Sequence, residues 1–330
     1  MSKLVLIDGN AILHRAYHAL PPLTTKSGEP INAVYGFVSI LLRIINDMKP
    51  THLAVCFDRP EKTFRKEKYV KYQAQRPVMD DFLSSQVIKM HDVLNAFLIP
   101  VYEKAGFEAD DLLGTIARQI QKGNSKSRKQ KAKVKIIETI IVTGDRDIFQ
   151  LINRSVKVYV PVKGLKEGKL YGVEEVRHEF DFEPIQMVDF KALVGDTSDN
   201  YPGVSGIGPK TARELIVKYK TVENIYKNLD SIPGKVGSKL KGSKKEALFF
   251  KNIATIVTDV PLEIDFKKMG DWDLGSEEAV RLFMSYGFKT LLTRVLGKSS
   301  EKKSEENEGK EKVKEKDVKN KVESNQTSLF

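Results

Sequence analysis

Short apolar runs alternate with amphipathic stretches of helical period along the first two hundred residues. Leu4-Val5-Leu6-Ile7, Leu53-Ala54-Val55-Cys56-Phe57 and Ile140-Ile141-Val142 have the length and continuous apolar character of strands buried on both faces. Between them, Val34, Phe37, Val38, Leu41, Leu42 and Ile45 recur on one face of a 3.6-residue period, which predicts a helix over 32–48. Similar patterns predict helices over 80–98 and 109–121. Strand and helix in alternation predict an α/β fold with a doubly wound parallel sheet. After Asp199 the strand-like runs cease, and Gly-rich turns separate helical patterns as far as about Gly297, predicting a mainly α region. From Lys298 on, Lys and Glu alternate with almost no apolar residues, the composition of a disordered tail or of a solvated helix lacking a core face.

An acid stands where each of these strand-like runs stops: Asp8, Asp58 and Asp145. The carboxyl ends of parallel strands form one rim, so the three are predicted to face a single crevice. Glu108, Asp110 and Asp111 open the helix predicted from 109, Asp147 follows Asp145 by two residues, and Asp196 and Asp199 lie beyond. A lone Asp-x-Asp is more often a cap or a turn than a ligand. Acids at successive element ends are harder to explain that way, because carboxylates crowded into one volume repel, which raises their pKa values or attracts hard divalent cations. Two such ions about 4 Å apart activate a water and stabilise both the entering and the leaving oxygen of a phosphodiester. A site for two Mg²⁺ or Mn²⁺ ions is therefore expected.

Charge narrows the substrate. The chain of 330 residues carries a formal net charge of +11, which suits a polyanionic partner surrounding the acidic cluster. Residues 64–77 are rich in Arg, Lys, Tyr and Gln with little apolar period, and read as a basic, arch-like segment beside the rim or as a solvated helix. Residues 122–135 read as a basic loop. The single cysteine, Cys56, sits in an apolar strand and excludes an internal disulfide framework. No apolar leader follows Met1 and no apolar stretch is long enough to span a bilayer, so no membrane partner and a cytoplasmic setting are expected. Gly203-Val204-Ser205-Gly206-Ile207-Gly208-Pro209-Lys210-Thr211-Ala212 has the glycine spacing of a phosphate loop, but Pro209 stands before the Lys and no strand precedes it. A Gly-rich hairpin between helices, presenting backbone amides to a DNA backbone, fits better.

At these motifs the chain resembles the 5′-nuclease family, which includes flap endonucleases and the N-terminal 5′→3′ exonuclease part of bacterial DNA polymerase I. The resemblance spans roughly residues 3 to 295. It rests on Leu-Ile-Asp-Gly-Asn at 6–10, Tyr-His-Ala-Leu-Pro at 17–21, Ala-Val-Tyr-Gly-Phe at 33–37 and Val-Cys-Phe-Asp at 55–58. It continues with Phe-Glu-Ala-Asp-Asp at 107–111, Thr-Gly-Asp-Arg-Asp at 143–147, Gly-Asp-Thr-Ser-Asp-Asn at 195–200 and Gly-Ile-Gly-Pro-Lys-Thr-Ala at 206–212.

The resemblance implies a PIN/Rossmann-like nuclease core over 1–185 with a helical arch at about 64–98, and a helix-hairpin-helix region over 186–297. A tail over 298–330 completes the expected organisation. It also implies cutting of 5′ ends and flaps in nicked, branched or RNA-primed DNA, in primer removal and repair. Asp8, Asp58, Glu108, Asp110, Asp111 and Asp145 would lie nearest the more tightly held metal, and Asp147, Asp196 and Asp199 nearest the second. Tyr17, Arg65, Lys66, Tyr72, Gly206, Gly208, Lys210 and Thr211 would contact DNA, and K⁺ would join the hairpin. Arg76 would act on the scissile phosphate together with a Lys, at whose place this chain has Gln73; that departure keeps open a DNA-binding scaffold of weak or lost catalysis. The ending Gln326-Thr327-Ser328-Leu329-Phe330 resembles the peptide that docks on the bacterial sliding clamp through Gln326, Leu329 and Phe330. With no polymerase segment in view, a standalone nuclease is expected.

Overall fold

The computed structural model describes residues 2–126, 136–162 and 167–297. The greater part of the basic loop at 122–135, and the tail with Gln326, Leu329 and Phe330, lie outside the described residues.

The elements follow the sequence pattern closely. β1 (Ser2–Asp8), α1 (Gly9–Ala19), α2 (Asn32–Met48), β2 (His52–Cys56), α3 (Phe64–Lys68), α4 (Asp81–Ala96), β3 (Val101–Tyr102), α5 (Ala109–Lys126) and β4 (Ile136–Val142) come first. β5 (Val156–Pro161), β6 (Gly168–Tyr171), α6 (Val173–Phe180) and α7 (Met187–Val194) follow. The helices α8 (Pro209–Tyr219), α9 (Val222–Lys227), α10 (Gly234–Leu240), α11 (Lys244–Ala254), α12 (Phe266–Gly270) and α13 (Glu277–Tyr286) then lead to a last helical stretch over 289–297.

The sheet runs in the order β3-β2-β1-β4-β5-β6. The pairings from β3 to β5 are parallel, and β6 closes the edge antiparallel to β5. The expected parallel sheet is present from β3 to β5, and β6 adds one antiparallel edge strand because it returns directly beside β5 instead of through a crossover helix. Alternate residues serve two cores. Leu4, Leu6, Ala54, Cys56 and Ile141 face one apolar cluster with α5, while Val5, Ile7, Leu53, Val55, Ile140 and Val142 face another with α2 and α4. Burial on both faces explains why these strands read as unbroken apolar runs.

Chain order reverses direction between β1 and β4, so a crevice opens beyond their carboxyl ends. Caps fix what enters it. The Asp8 carboxylate accepts from Ala11 N at 2.9 Å and starts α1 immediately after β1. Ile31 offers α2 no side-chain cap; buried Gln86 of α4 supplies one, accepting from Ala33 N at 2.7 Å while donating to Asn32 Oδ1 at 3.0 Å. The segment between α3 and α4 is a run of turns over 70–76.

Candidate active site

Asp8 ends β1 at the chain reversal, and Thr143, just after β4, donates from Oγ1 to Asp8 Oδ2 at 2.7 Å. The Thr143 hydroxyl also accepts from Asp145 N at 3.0 Å, and Asp145 Oδ1 accepts from Asp147 N at 2.8 Å. One chain of hydrogen bonds therefore sets Asp8, Asp145 and Asp147 relative to each other. Asp58, two residues beyond β2, accepts from Ala109 N at 2.7 Å and so docks on the first turn of α5, where Asp110 stands. The backbone of Asp58 is held in turn by Asn10 Oδ1 at 2.9 Å. Asp8, Asp58, Asp110 and Asp145 are brought together.

The electrostatics show the crowding. Burial, together with the neighbouring Asp58 and Asp145 charges, pushes the Asp8 carboxyl up to about 7. Asp110 is driven well above the carboxylate range, first by burial and then by Asp145, Asp8 and Asp58. Burial likewise raises Asp58 and Asp145, and it carries Glu108 and Asp147 each to about 7. Oxygen-only donors that raise one another's proton affinity are the chemistry of a hard-cation site. Among the described residues, however, no three of them stand close enough to hold a metal unaided. Several of the acids are instead engaged by the protein's own donors.

Arg65 is the first of these, and it departs from the expected DNA contact. It is buried, with its guanidinium bidentate on Asp111 at 2.7 and 2.8 Å, on Glu108 at 3.2 Å, and on the carbonyls of Ile253 and Thr255 at 2.9 and 2.8 Å. Asp111, expected among the metal ligands, gives both oxygens to that fork and to Glu108 N and Val257 N. The physical reason is desolvation: a fully buried carboxylate is retained only when its lone pairs are filled, and Arg65 fills them. Tyr72, also expected at the DNA surface, is buried with its hydroxyl between Glu108 (3.1 Å) and Asp199 (3.2 Å).

Asp199 is the meeting point of the basic segment. It receives Gln73 Nε2 at 2.9 Å and an Arg76 guanidinium N–H at 2.8 Å, while its carbonyl accepts from Gln73 N at 3.0 Å. Gln73 adopts the left-handed conformation with φ 54° to make both contacts. Lys66 is exposed, as are Gly206, Gly208 and Lys210 of the hairpin, with Thr211 half-buried. Tyr17 on α1 is half-buried, and its hydroxyl pairs with Asp80 at the cap of α4.

Two residues escaped the sequence reading. Thr143 stands in the sequence only as the first residue of Thr-Gly-Asp-Arg-Asp. Lys191, the one cation of the Met187–Val194 helix, reaches Asp147 at 2.6 Å and also contacts Asp196. Its signal was available: a single cation on a helix of high apolar content, five residues before an acid.

An α/β sheet with an acid rim at its topological switch, followed by a helical module with a glycine hairpin, defines the class of nucleases built on a resolvase-like core. Two family models match consecutive parts of the chain: the 5′-3′ exonuclease N-terminal resolvase-like domain over residues 3–181 and the 5′-3′ exonuclease C-terminal SAM fold over residues 182–274. The chain belongs to the 5′-3′ exonuclease family. It is 39% identical over 297 residues to DNA polymerase I of Caldicellulosiruptor bescii and 37% identical over 300 residues to that of Bacillus subtilis, covering 89% and 91% of this chain. The chain spans 33% of the length of each of those relatives. Among solved structures it resembles a T5 5′-exonuclease with divalent zinc bound (TM-score 0.60, 19% identity, 91% of this chain and 98% of that one). A bacteriophage T5 flap endonuclease in a pseudo-enzyme-product complex with DNA and metal ions is similar at TM-score 0.59 and 19% identity, again covering 91% and 98%. These likenesses show the shared fold.

Proposed function

We propose that this chain is a divalent-metal-dependent 5′ nuclease that cuts phosphodiesters at the 5′ ends of nicked, flapped or RNA-primed DNA. The observation that carries the reading is the convergence of Asp8, Asp58, Asp110 and Asp145 at the switch point of the sheet, each raised in pKa by burial. Asp8, Asp58, Glu108, Asp110 and Asp145 would hold one Mg²⁺ or Mn²⁺, and Asp147, Asp196 and Asp199 a second. When bound, such ions supply Lewis-acid stabilisation of the scissile phosphate and a water acidic enough to attack it.

The chain's own residues do the rest. Arg76 and Lys66, on an exposed strip above the acids, attract and orient the phosphate. Arg65 and Asp111 fix the base of that strip against α5 and the 253–257 segment. Gly206, Gly208 and Lys210, at the start of α8, offer amides and a charge to the duplex backbone without reading its sequence. K⁺ at this hairpin is part of the same proposal, checked by DNA binding in K⁺ against Na⁺. Recruitment to the sliding clamp through Gln326, Leu329 and Phe330 is proposed from the sequence of that peptide, and a pull-down with and without 326–330 tests it.

The deciding experiment is cleavage of a labelled double-flap DNA and a nicked duplex in Mg²⁺, beside an Asp110→Asn/Asp145→Asn protein. Product near the flap base from the unaltered protein alone is expected. Binding without cleavage in either Mg²⁺ or Mn²⁺ would overturn the enzyme in favour of a structure-selective scaffold.

A further inference from the structure

Lys191 has no part in the scheme above, yet it bridges two of the three acids of the second group, Asp147 and Asp196. Its ammonium lies 2.6 Å from Asp147 Oδ1, off the line of a hydrogen bond, so that buried oxygen has an ionic partner and no hydrogen-bond donor. The same ammonium contacts Asp196 Oδ2. Although burial alone raises Asp196, Lys191 and Ser198 hold it below the usual carboxylate range. Across the crevice, Asp8, Asp58 and Asp110 form no ion pair among the described residues. The two halves of the acidic rim are thus unequal: in the first only Glu108, at its edge, is paired with a protein cation, Arg65, whereas in the second one ammonium bridges Asp147 and Asp196.

We propose that Lys191 is a resident counter-cation of the second acidic group, a positioning residue that gathers Asp147 and Asp196 around one ammonium in the resting protein and competes with the second divalent ion for the same oxygens. The inference rests on the metal-dependent reading of the site. The Lys191 stem is rooted in α7, whose C-terminus is tied to the acidic loop by Gly195 N to Lys191 O at 2.8 Å, so the ammonium stays tethered beside Asp147 and Asp196. It must instead swing past Asp147 or Asp196 when a divalent ion enters. Each ion that binds there displaces one protein charge, which makes the second site weaker than its carboxylate count implies. Retaining the ammonium prevents an uncompensated cluster of buried carboxylates in the metal-free state.

Titration calorimetry with Mn²⁺ on the full chain, for the unaltered protein and for Lys191→Met, separates the outcomes; thermal melting in EDTA and in Mn²⁺ accompanies it. Lys191→Met is expected to keep both metal sites while binding the weaker Mn²⁺ at least about fivefold more tightly. It is also expected to melt lower than the unaltered protein in EDTA and to regain more on Mn²⁺ addition. A weaker site binding Mn²⁺ equally or less tightly in Lys191→Met overturns the inference and makes the lysine a support for the metal ligands. If Lys191→Met is unfolded in EDTA, Lys191→Gln, of smaller volume and neutral, is titrated under the same criterion. No Mn²⁺ uptake by the unaltered protein would instead sink the metal-dependent reading itself.

Discussion

At the scale of single residues, Gln73 and the raised carboxylates make the most direct claims. Gln73 places a neutral amide on Asp199, beside Arg76, where the family resemblance implies a lysine. A positioned cation aimed at developing phosphate charge is worth ~10²–10³ in rate, of which neighbouring Arg76 and Lys66 recover part. Gln73→Lys is therefore expected to cut a 5′ flap roughly tenfold faster at saturating Mg²⁺. An unchanged single-turnover rate would show that the other cations already suffice. The carboxylates speak to pH. Asp8, Glu108 and Asp147 keep their protons up to about 7 in the fold, chiefly because burial disfavours the charge. In the unfolded chain they release them near about pH 4. Between those values the folded state binds more protons, so metal-free stability falls as pH rises through that window. Melting in EDTA should drop between about pH 4 and pH 7, and Mg²⁺ should reverse the trend because metal replaces the lost protons. A melting temperature that is flat or rising in EDTA would count against the crowded acids. Asp196 acts in the opposite sense, being stabilising once ionised, but its loss lies below about pH 4 and outside that window.

At the scale of elements, the loop from α7 to α8 joins chemistry to DNA contact. Asp196 and Tyr201 exchange backbone hydrogen bonds at 2.8 and 3.0 Å, and Val204 N reaches back to Leu193 O at 2.9 Å. Gly195 and Gly203 face each other at this closure with φ of 82° and 64°, and a Cβ on Gly203 would lie 2.3 Å from Gly195 N. Gly203→Ala forces backbone apart and demands a strained φ, at a cost of ~2 kcal/mol or more. It is expected to lower the melting temperature and to weaken duplex binding by the hairpin, whereas Gly208→Ala, with open space at its Cβ, should leave the melting temperature nearly unchanged. Equal melting of the two variants would disprove the closure. Elements like α2 and the three central strands were legible because their apolar period is set by burial that local sequence must satisfy. β6 was not, since a four-residue edge strand has one covered face and a weak pattern. The acids were legible as strand ends. That Asp111 would go to Arg65 was not, because the pair is 46 residues apart in sequence and its selection depends on which oxygens the 253–257 backbone reaches. Motif resemblance treats adjacent Asp110 and Asp111 alike, whereas a helix points them in directions about 100° apart.

At the scale of the whole molecule, the chain returns to where it began. Trp272, Leu274, Ala279, Phe283, Phe288, Leu291 and Val295 are at most 5% exposed and belong to the same apolar cluster as Val5, Ile7, α2 and α4. Phe283 meets Phe97 of the α4 end with ring centroids 5.5 Å apart, and Phe288 meets Tyr35 of α2 at 5.2 Å. Asp273 N donates to Phe97 O at 2.9 Å and fixes the register of that return. The segment past the helical module therefore covers the face of α2 and α4 that points away from the sheet. Large apolar side chains of this kind contribute ~1.5–3 kcal/mol each on burial, so their loss together rivals the ~5–15 kcal/mol by which a domain is stable. Ending the chain after Asp271 keeps every acid of the rim, yet it should abolish cooperative melting and expose a dye-binding apolar surface. Ending it after Gly297 removes only the Lys- and Glu-rich tail and should leave the melting temperature within a degree or two, because a segment of that composition has few apolar residues to bury. A truncation after Asp271 that melted like the longer one would mean that the sheet and α1–α5 close their core alone, and that the returning helices serve the substrate side instead.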